Sequence, residues 1–301
     1  MPVHLIPSRR RFLHSATGAV LSAAAIDLHS ETTGGWVALL ADTHIDADPA
    51  KEARGATMAK NLERVVAEIL AEPTHPDFAV INGDCAYLKG LPEDYKTLRP
   101  LITPLLDAGI PVHLTMGNHD DRGPFFDLFP EAKAEPAPLK DRHLAVIKSK
   151  HANWFLLDTL QIVNNVTGEI GAAQREWLTE MLDSHSDKPA ILIGHHYTQD
   201  LPADPKAKVS GLADSAEFLE LLQSKPQVKA YIFGHSHSYG YKKTGEGVHL
   251  VNQPPVAYLF IPEKPNGWIK ADAGNGGISL TLRALKQEHP ENGKTTNLDW
   301  R

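Results

Sequence analysis

The 301-residue sequence has one cysteine, Cys85. No intrachain disulfide is possible, so in an oxidising compartment the fold must rest on core packing and bound metal alone. Net positive charge is missing too. Thirty Lys and Arg stand against 37 Asp and Glu, giving a formal charge of -7 and a pI near 6.1. Without a basic stripe, sequence-independent binding to a phosphate backbone lacks its electrostatic source; small or already neutralised substrates fit better. No stretch supplies the ~20 uninterrupted apolar residues of a membrane helix. There is no internal repeat and no low-complexity block. What the sequence does have is histidine: 16 of them, several in tight clusters beside glycine and aspartate, the company that metal sites keep.

The chain starts with Ser8-Arg9-Arg10-Arg11-Phe12-Leu13, followed by a small, apolar run from Ser15 to Ile26 in which Ala23-Ala24-Ala25 offers a cleavage signal. This resembles a twin-arginine leader, the alternative being a basic tail, and is set aside from the fold as residues 1–25. The expectation is export by the twin-arginine translocase to the periplasm or the extracellular space. That route carries folded proteins, so metals would be loaded in the cytoplasm. About 270 residues then remain, enough for one large α/β domain. They divide into a linker over 26–35, a catalytic domain over 36–285 and a tail over 286–301.

Beyond the linker one pattern repeats: a short apolar run, a group of ligand-type residues at its end, then a helical or loop return. Strands are predicted at Trp36–Ala41, Phe78–Asn82, Pro111–Met116, Leu144–Ile147, Trp154–Leu157, Ala190–Ile193 and Lys229–Phe233. Helices are predicted at 61–71, where Leu62, Val65, Val66, Ile69 and Leu70 keep helical spacing, and at 97–108, 174–182 and 215–222. Val248–Val251, Val256–Ile261 and Ile278–Leu282 read as closing antiparallel strands.

Five clusters sit directly after strand ends: Asp42-Thr43-His44, Gly83-Asp84, Gly117-Asn118-His119-Asp120, Gly194-His195-His196 and Gly234-His235-Ser236-His237. Each alone is common. The C-terminal strand ends of an α/β sheet adjoin one crevice, so residues dozens of positions apart converge there. Taken in order, the five clusters resemble the calcineurin-like metallophosphoesterases, whose pattern runs D-x-H, G-D, G-N-H-D, G-H or H-H, and G-H-x-H; the match covers about Trp36 to Leu285. The Asp-x-His start and the His-His pair are most similar to class III cyclic-nucleotide phosphodiesterases and bacterial glycerophosphodiesterases.

The resemblance implies a four-layer α-β-β-α sandwich of two mixed sheets, with a dinuclear metal site at the C-terminal strand ends. One metal would take Asp42, His44, Asp84 and His237; the other would take Asp84, Asn118, His195 and His235. Asp84 would bridge them. Carboxylate, amide and imidazole donors without thiolate suit two divalent or mixed-valence ions, Mn, Fe or Zn. Such a pair stabilises both oxygens of an in-line displacement and turns a bridging water into hydroxide near neutral pH. The resemblance also puts His119 beside the scissile phosphate, to protonate the leaving alkoxide, with Asp120 orienting it. The expected activity is hydrolysis of small phosphate esters, diesters above all.

Other readings stay open at this stage. Gly83-Asp84-x-x-Tyr87 is also similar to purple acid phosphatases, in which the tyrosine binds ferric iron and the activity is monoesterase; here, however, His44 fills the place that Tyr87 would take. A non-catalytic exported metal-binding scaffold would keep the ligands without turnover. A repair-type nuclease shares them, but acidity and export oppose it. His196 stands between a substrate contact and core packing. Cys85 reads as a buried small hydrophobe, Asp46 and Asp48 as solvated loop carboxylates.

Overall fold

The computed structural model describes residues 35–130, 139–202, 204 and 207–300, and the backbone alone of 3–5 and 27–29. The expected leader motif and its apolar run, residues 8–26, lie outside the described residues. The strands of the first half are β1 (Val3–Leu5), β2 (Asp27–His29), β3 (Trp36–Ala41), β4 (Glu52–Ala53), β5 (Ala56–Thr57), β6 (Phe78–Asn82), β7 (Val112–Thr115) and β8 (Ala145–Lys148). Then come β9 (Asn153–Leu156), β10 (Ala190–Ile193), β11 (Val228–Phe233), β12 (Gly240–Lys243), β13 (His249–Asn252), β14 (Gly267–Ala273), β15 (Gly277–Ala284) and β16 (Thr295–Asp299). The helices are α1 (Met58–Leu70), α2 (Pro92–Asp107), α3 (Arg122–Leu128), α4 (Ala172–Ser184) and α5 (Ser215–Ser224).

One sheet runs β1-β7-β6-β3-β14-β15-β16, the other β12-β13-β11-β10-β9-β8-β2. Both are mixed. β3, β6 and β7 are parallel and flanked by antiparallel strands; β9, β10, β11 and β13 are parallel between antiparallel β8 and β12. The central strands are apolar on both faces because each face is covered. Val37 and Leu39 of β3 point into the layer between the sheets with Phe78, Trp154, Ile191 and Ile269. Ala38 and Leu40 point outward onto α1 and α2. Across the molecule, Phe155, Leu192 and Tyr231 pack under Leu178 of α4 and Phe218 of α5. The result is the expected α-β-β-α sandwich.

Of the periodic residues of α1, Leu62, Val65, Val66 and Ile69 are buried and Leu70 is half-buried. α2 starts earlier than the expected Thr97. Pro92 sits in its first turn, where a missing N–H costs nothing, and the Asp94 carboxylate accepts from Leu91 N–H (3.1 Å). Two strand expectations need correction. Val248–Val251 falls largely on β13, which is antiparallel to β12 as expected but parallel to β11 on its other side. Val256–Ile261 is no strand: after Pro254-Pro255, Val256 N bonds Ala41 O and Ala257 N bonds Asp42 O, while the Val256 and Ala257 carbonyls accept from the Asn61 side chain, and the segment passes over the ligand-bearing end of β3. The antiparallel place beside β3 is taken instead by β14, which was not anticipated. The 286–301 segment, set apart as a tail, carries β16, paired to β15. Among the described residues, no helix is long and apolar enough to cross a membrane.

Candidate metal centre

The five clusters lie where β3, β6, β7, β10 and β11 end. Folding their side chains back over the sheets demands unusual backbone. Asp42, His44, Asp84, His235 and His237 all have positive φ, from 46 to 67°. Non-glycine residues rarely adopt that region, and it tends to collect at functional sites. The motif glycines provide the room. A Cβ on Gly117 would lie 2.1 Å from Asp84 Oδ1, and one on Gly234 would lie 2.5 Å from Asp42 Oδ2, so the carboxylates rest directly on bare backbone.

Second contacts set the tautomers of three rings. His44 Nδ1 donates to the Tyr87 carbonyl (3.1 Å), His195 Nδ1 to the Asn82 carbonyl (2.9 Å) and His237 Nδ1 to the Tyr258 carbonyl (2.7 Å). Carbonyls only accept, so each Nδ1 carries a hydrogen, and in the neutral His44 and His237 rings each Nε2 turns a lone pair inward. His44 Nε2 and His237 Nε2 then face each other at 2.9 Å. Two lone pairs at that distance repel unless a cation lies between or beside them.

Asp84 stands at the middle. Its Oδ1 accepts from His119 N–H (2.9 Å), while Oδ2 lies 3.6 Å from His44 Nε2 and 3.2 Å from His195 Nε2. Asp42 Oδ1 lies 3.5 Å from His237 Nε2 and 3.9 Å from His195 Nε2. Ligand atoms gather into the groups Asp42–His44–His237 and Asp84–His195–His235, with His44–Asp84–His119 overlapping both. Asn118 Oδ1, His195 Nε2 and His235 Nδ1 are buried without a hydrogen-bond partner, a costly state for such atoms unless an ion satisfies them. All seven expected ligands are thus brought to one place.

Electrostatics point the same way. Burial lowers His44 to about 4 and His235 to about 3, and holds His237 well below the ordinary histidine value. These rings are neutral, as metal ligands must be. Burial pushes Asp42 up to about 8, with His195 opposing the rise and Asp84 adding to it. Burial also disfavours a charged His195 ring, yet the two carboxylates outweigh it and raise this group to about 9. Asp84 stays well below the carboxylate range: burial opposes its charge, and His195 and its neighbours prevail. The pocket therefore calls for positive charge at its centre.

His119 lines a cavity of about 350 Å³ together with His44, Asp84, Asn118, His237 and Phe260. The expectation that Asp120 orients it is corrected. His119 Nδ1 bonds the Leu88 carbonyl (2.8 Å), whereas the buried Asp120 carboxylate accepts from the N–H groups of Cys85, Ala86 and Gly117 and from Tyr95 Oη. Asp120 staples the β6 and β7 loops together and so sets Asp84 against Asn118. Burial, then the Asp84 charge, lifts it to about 6 against those N–H groups. His196 Nδ1 meets Thr159 Oγ1 (2.7 Å), and its fully buried ring packs beside His235. Tyr87 contributes its carbonyl to His44, and Cys85 is buried in the outer core. Asp46 and Asp48 are not among the cavity residues.

Tyr258 was not singled out in advance. Its carbonyl fixes His237, and its ring packs 5.0 Å from His44. Read as one position of an apolar strand, it carried no signal of a role.

Oxygen and imidazole donors, orphaned buried ligand atoms and opposed lone pairs fit divalent cations. A two-sheet α/β sandwich with such ligands at its strand ends defines a metal-dependent phosphoesterase. The chain belongs to the calcineurin-like phosphoesterase family, which it matches over residues 35–239. It is 31% identical over 232 residues to a probable cyclic nucleotide phosphodiesterase of Psychrobacter arcticus, covering 74% of this chain and 79% of that protein. It is 26% identical over 225 residues to a 3',5'-cyclic adenosine monophosphate phosphodiesterase of Pseudomonas aeruginosa, covering 74% and 76%. Among solved structures, a dimetal phosphatase from Danio rerio superposes with a TM-score of 0.67 at 15% identity, over 88% of this chain and 99% of that one; this likeness concerns the fold.

Proposed function

We propose that this chain hydrolyses small phosphodiesters, 3',5'-cyclic nucleotides foremost, at a dinuclear centre of Mn, Fe or Zn. The observation that carries the reading is the pair of ligand groups on either side of Asp84 Oδ2, with His44 Nε2 and His237 Nε2 opposed at 2.9 Å. Asp42, His44, Asp84 and His237 would hold one ion; Asp84, Asn118, His195 and His235 the other. When bound, the ions supply Lewis-acid charge for the phosphoryl oxygens and an acidified water. The side chains do the rest. The Tyr87, Asn82 and Tyr258 carbonyls hold three imidazoles in their donating tautomer. His119, anchored at Nδ1 on Leu88 O, presents Nε2 to the cavity and gives its proton to the departing alkoxide. Tyr258 and Phe260 form part of the cavity wall.

The relatives named as cyclic nucleotide phosphodiesterases support the diester. A cavity of about 350 Å³ supports a small substrate. The test is a panel of cyclic nucleotides, bis-p-nitrophenyl phosphate and p-nitrophenyl phosphate, assayed with Mn. Diesters are expected to be turned over roughly tenfold or more better than the monoester. Preference for the monoester in a coloured iron form would favour the purple acid phosphatase reading, and inactivity with metal fully loaded would favour a scaffold.

We also propose export by the twin-arginine translocase, on the strength of Ser8-Arg9-Arg10-Arg11-Phe12-Leu13 and the apolar run after it. Replacing Arg9 and Arg10 by lysine is expected to strand the enzyme in the cytoplasm. An unchanged distribution on cell fractionation would reject this.

A further inference from the structure

One cation lies against two aromatic residues of the cavity wall and has no part in the chemistry above. Arg54 sits at the tip of the β4–β5 hairpin, where Ala53 pairs with Ala56. Arg54 and Gly55 both have positive φ, 49 and 78°, as a two-residue turn of this hand requires. Glycine is the usual occupant of such positions; an arginine there is conformationally costly, which is one reason to ask what its side chain does.

The guanidinium carbon lies 4.8 Å from the centre of the Phe260 ring and 6.0 Å from that of Tyr258. The Phe260 ring is itself stacked on the ligand His237, with centroids 4.3 Å apart and planes 16° from parallel. The hairpin thus brings a cation against an aromatic pair, Phe260 and Tyr258, that packs on the ligand His237. Phe260 is 49% exposed, and Phe260, Tyr258 and His237 all line the cavity. Among the described residues, the Arg54 N–H groups meet no acceptor.

A guanidinium drawn to aromatic rings without a protein acceptor keeps its N–H groups available, and all of them are donors. It complements a planar group with two adjacent acceptors. The O6 and N7 atoms of guanine are such a pair, whereas adenine offers N7 beside an N6 amino donor, which an arginine edge does not satisfy. We propose that Arg54, held beside Phe260 and Tyr258, reads the base of the bound nucleotide and favours guanine over adenine. This rests on the cyclic-nucleotide reading of the site and adds to it a specificity-determining residue.

The test uses the metal-loaded protein and its Arg54→Ala and Arg54→Lys variants, checked for unchanged melting temperature. Calorimetric titration with guanosine 5'-monophosphate and adenosine 5'-monophosphate is run beside hydrolysis of the two 3',5'-cyclic nucleotides and of methyl p-nitrophenyl phosphate, which has no base. Wild type is expected to favour the guanine compounds by roughly tenfold. Arg54→Ala is expected to abolish that preference through KM and Kd. It leaves kcat, the adenine compounds and the base-free diester within about twofold. Lysine, a point donor, is expected to restore little of the preference. An unchanged guanine-to-adenine ratio in Arg54→Ala overturns the proposal, and so does an equal loss on every substrate. Failure of the broader reading looks different: neither cyclic nucleotide is hydrolysed, and the titrations with the two monophosphates still decide the role of Arg54.

Discussion

Asp84→Asn is expected to strip the protein of both metal ions and to lower diester turnover on the order of 10³-fold or more. Asp84 Oδ1 is committed to His119 N–H (2.9 Å), so Oδ2 alone faces the Nε2 atoms of His44 and His195. In asparagine the amide oxygen takes over the bond from His119 N–H. The amide nitrogen then turns its two hydrogens toward those ring lone pairs. A donor would occupy the point at which the two ligand groups share a carboxylate oxygen, and each group would lose its common negative charge. The fold should survive, since only one side-chain atom changes. Elemental analysis beside circular dichroism checks this, and a folded variant with unaltered metal content would contradict the shared role of Asp84.

His119→Ala is expected to do the opposite. Metal content stays as in wild type, while turnover on substrates with poor leaving groups falls by about 10²–10⁴. The bond from the His119 backbone N–H to Asp84 is kept by alanine, so the carboxylate stays in place. Only the ring is removed, together with its Nε2 at the cavity. The loss should shrink for p-nitrophenolate, which leaves without help. Full activity on alkoxide leaving groups would reject the role; loss of an ion would instead make His119 a ligand, a possibility that its distance from His44 and Asp84 raises.

Why these residues meet was legible in the chain because each ligand follows an apolar run, and in parallel strands buried on both faces such runs end at one edge of the sheet. Trp36–Ala41, Phe78–Asn82 and Ala190–Ile193 are strands with the bounds read from their residues. Asp120 was misjudged for a physical reason: neighbours in a tight turn point in different directions, so adjacency to His119 says little about contact. Gly117 apart, its partners Cys85, Ala86 and Tyr95 are distant in sequence and become neighbours only in the folded chain. The run Val256–Ile261 has the composition of a strand but follows two prolines and gives its carbonyls to the side chains of Asn61 and His237, facts of tertiary placement that hydropathy does not carry. β14 was passed over because Gly267, Lys270 and Asp272 interrupt its apolar character, although its inward-facing Ile269, Ala271 and Ala273 do alternate. The positive φ angles at five ligands follow from no rule of composition. They are imposed by the need to turn each side chain back over its own strand end.

The most direct measurement is a count of metal ions per chain in purified protein, before and after treatment with a strong chelator, followed beside diester hydrolysis. Two ions per chain are expected, lost together with activity and restored together when Mn is returned. Undiminished hydrolysis by protein shown to hold one ion or none would contradict the paired centre around Asp84.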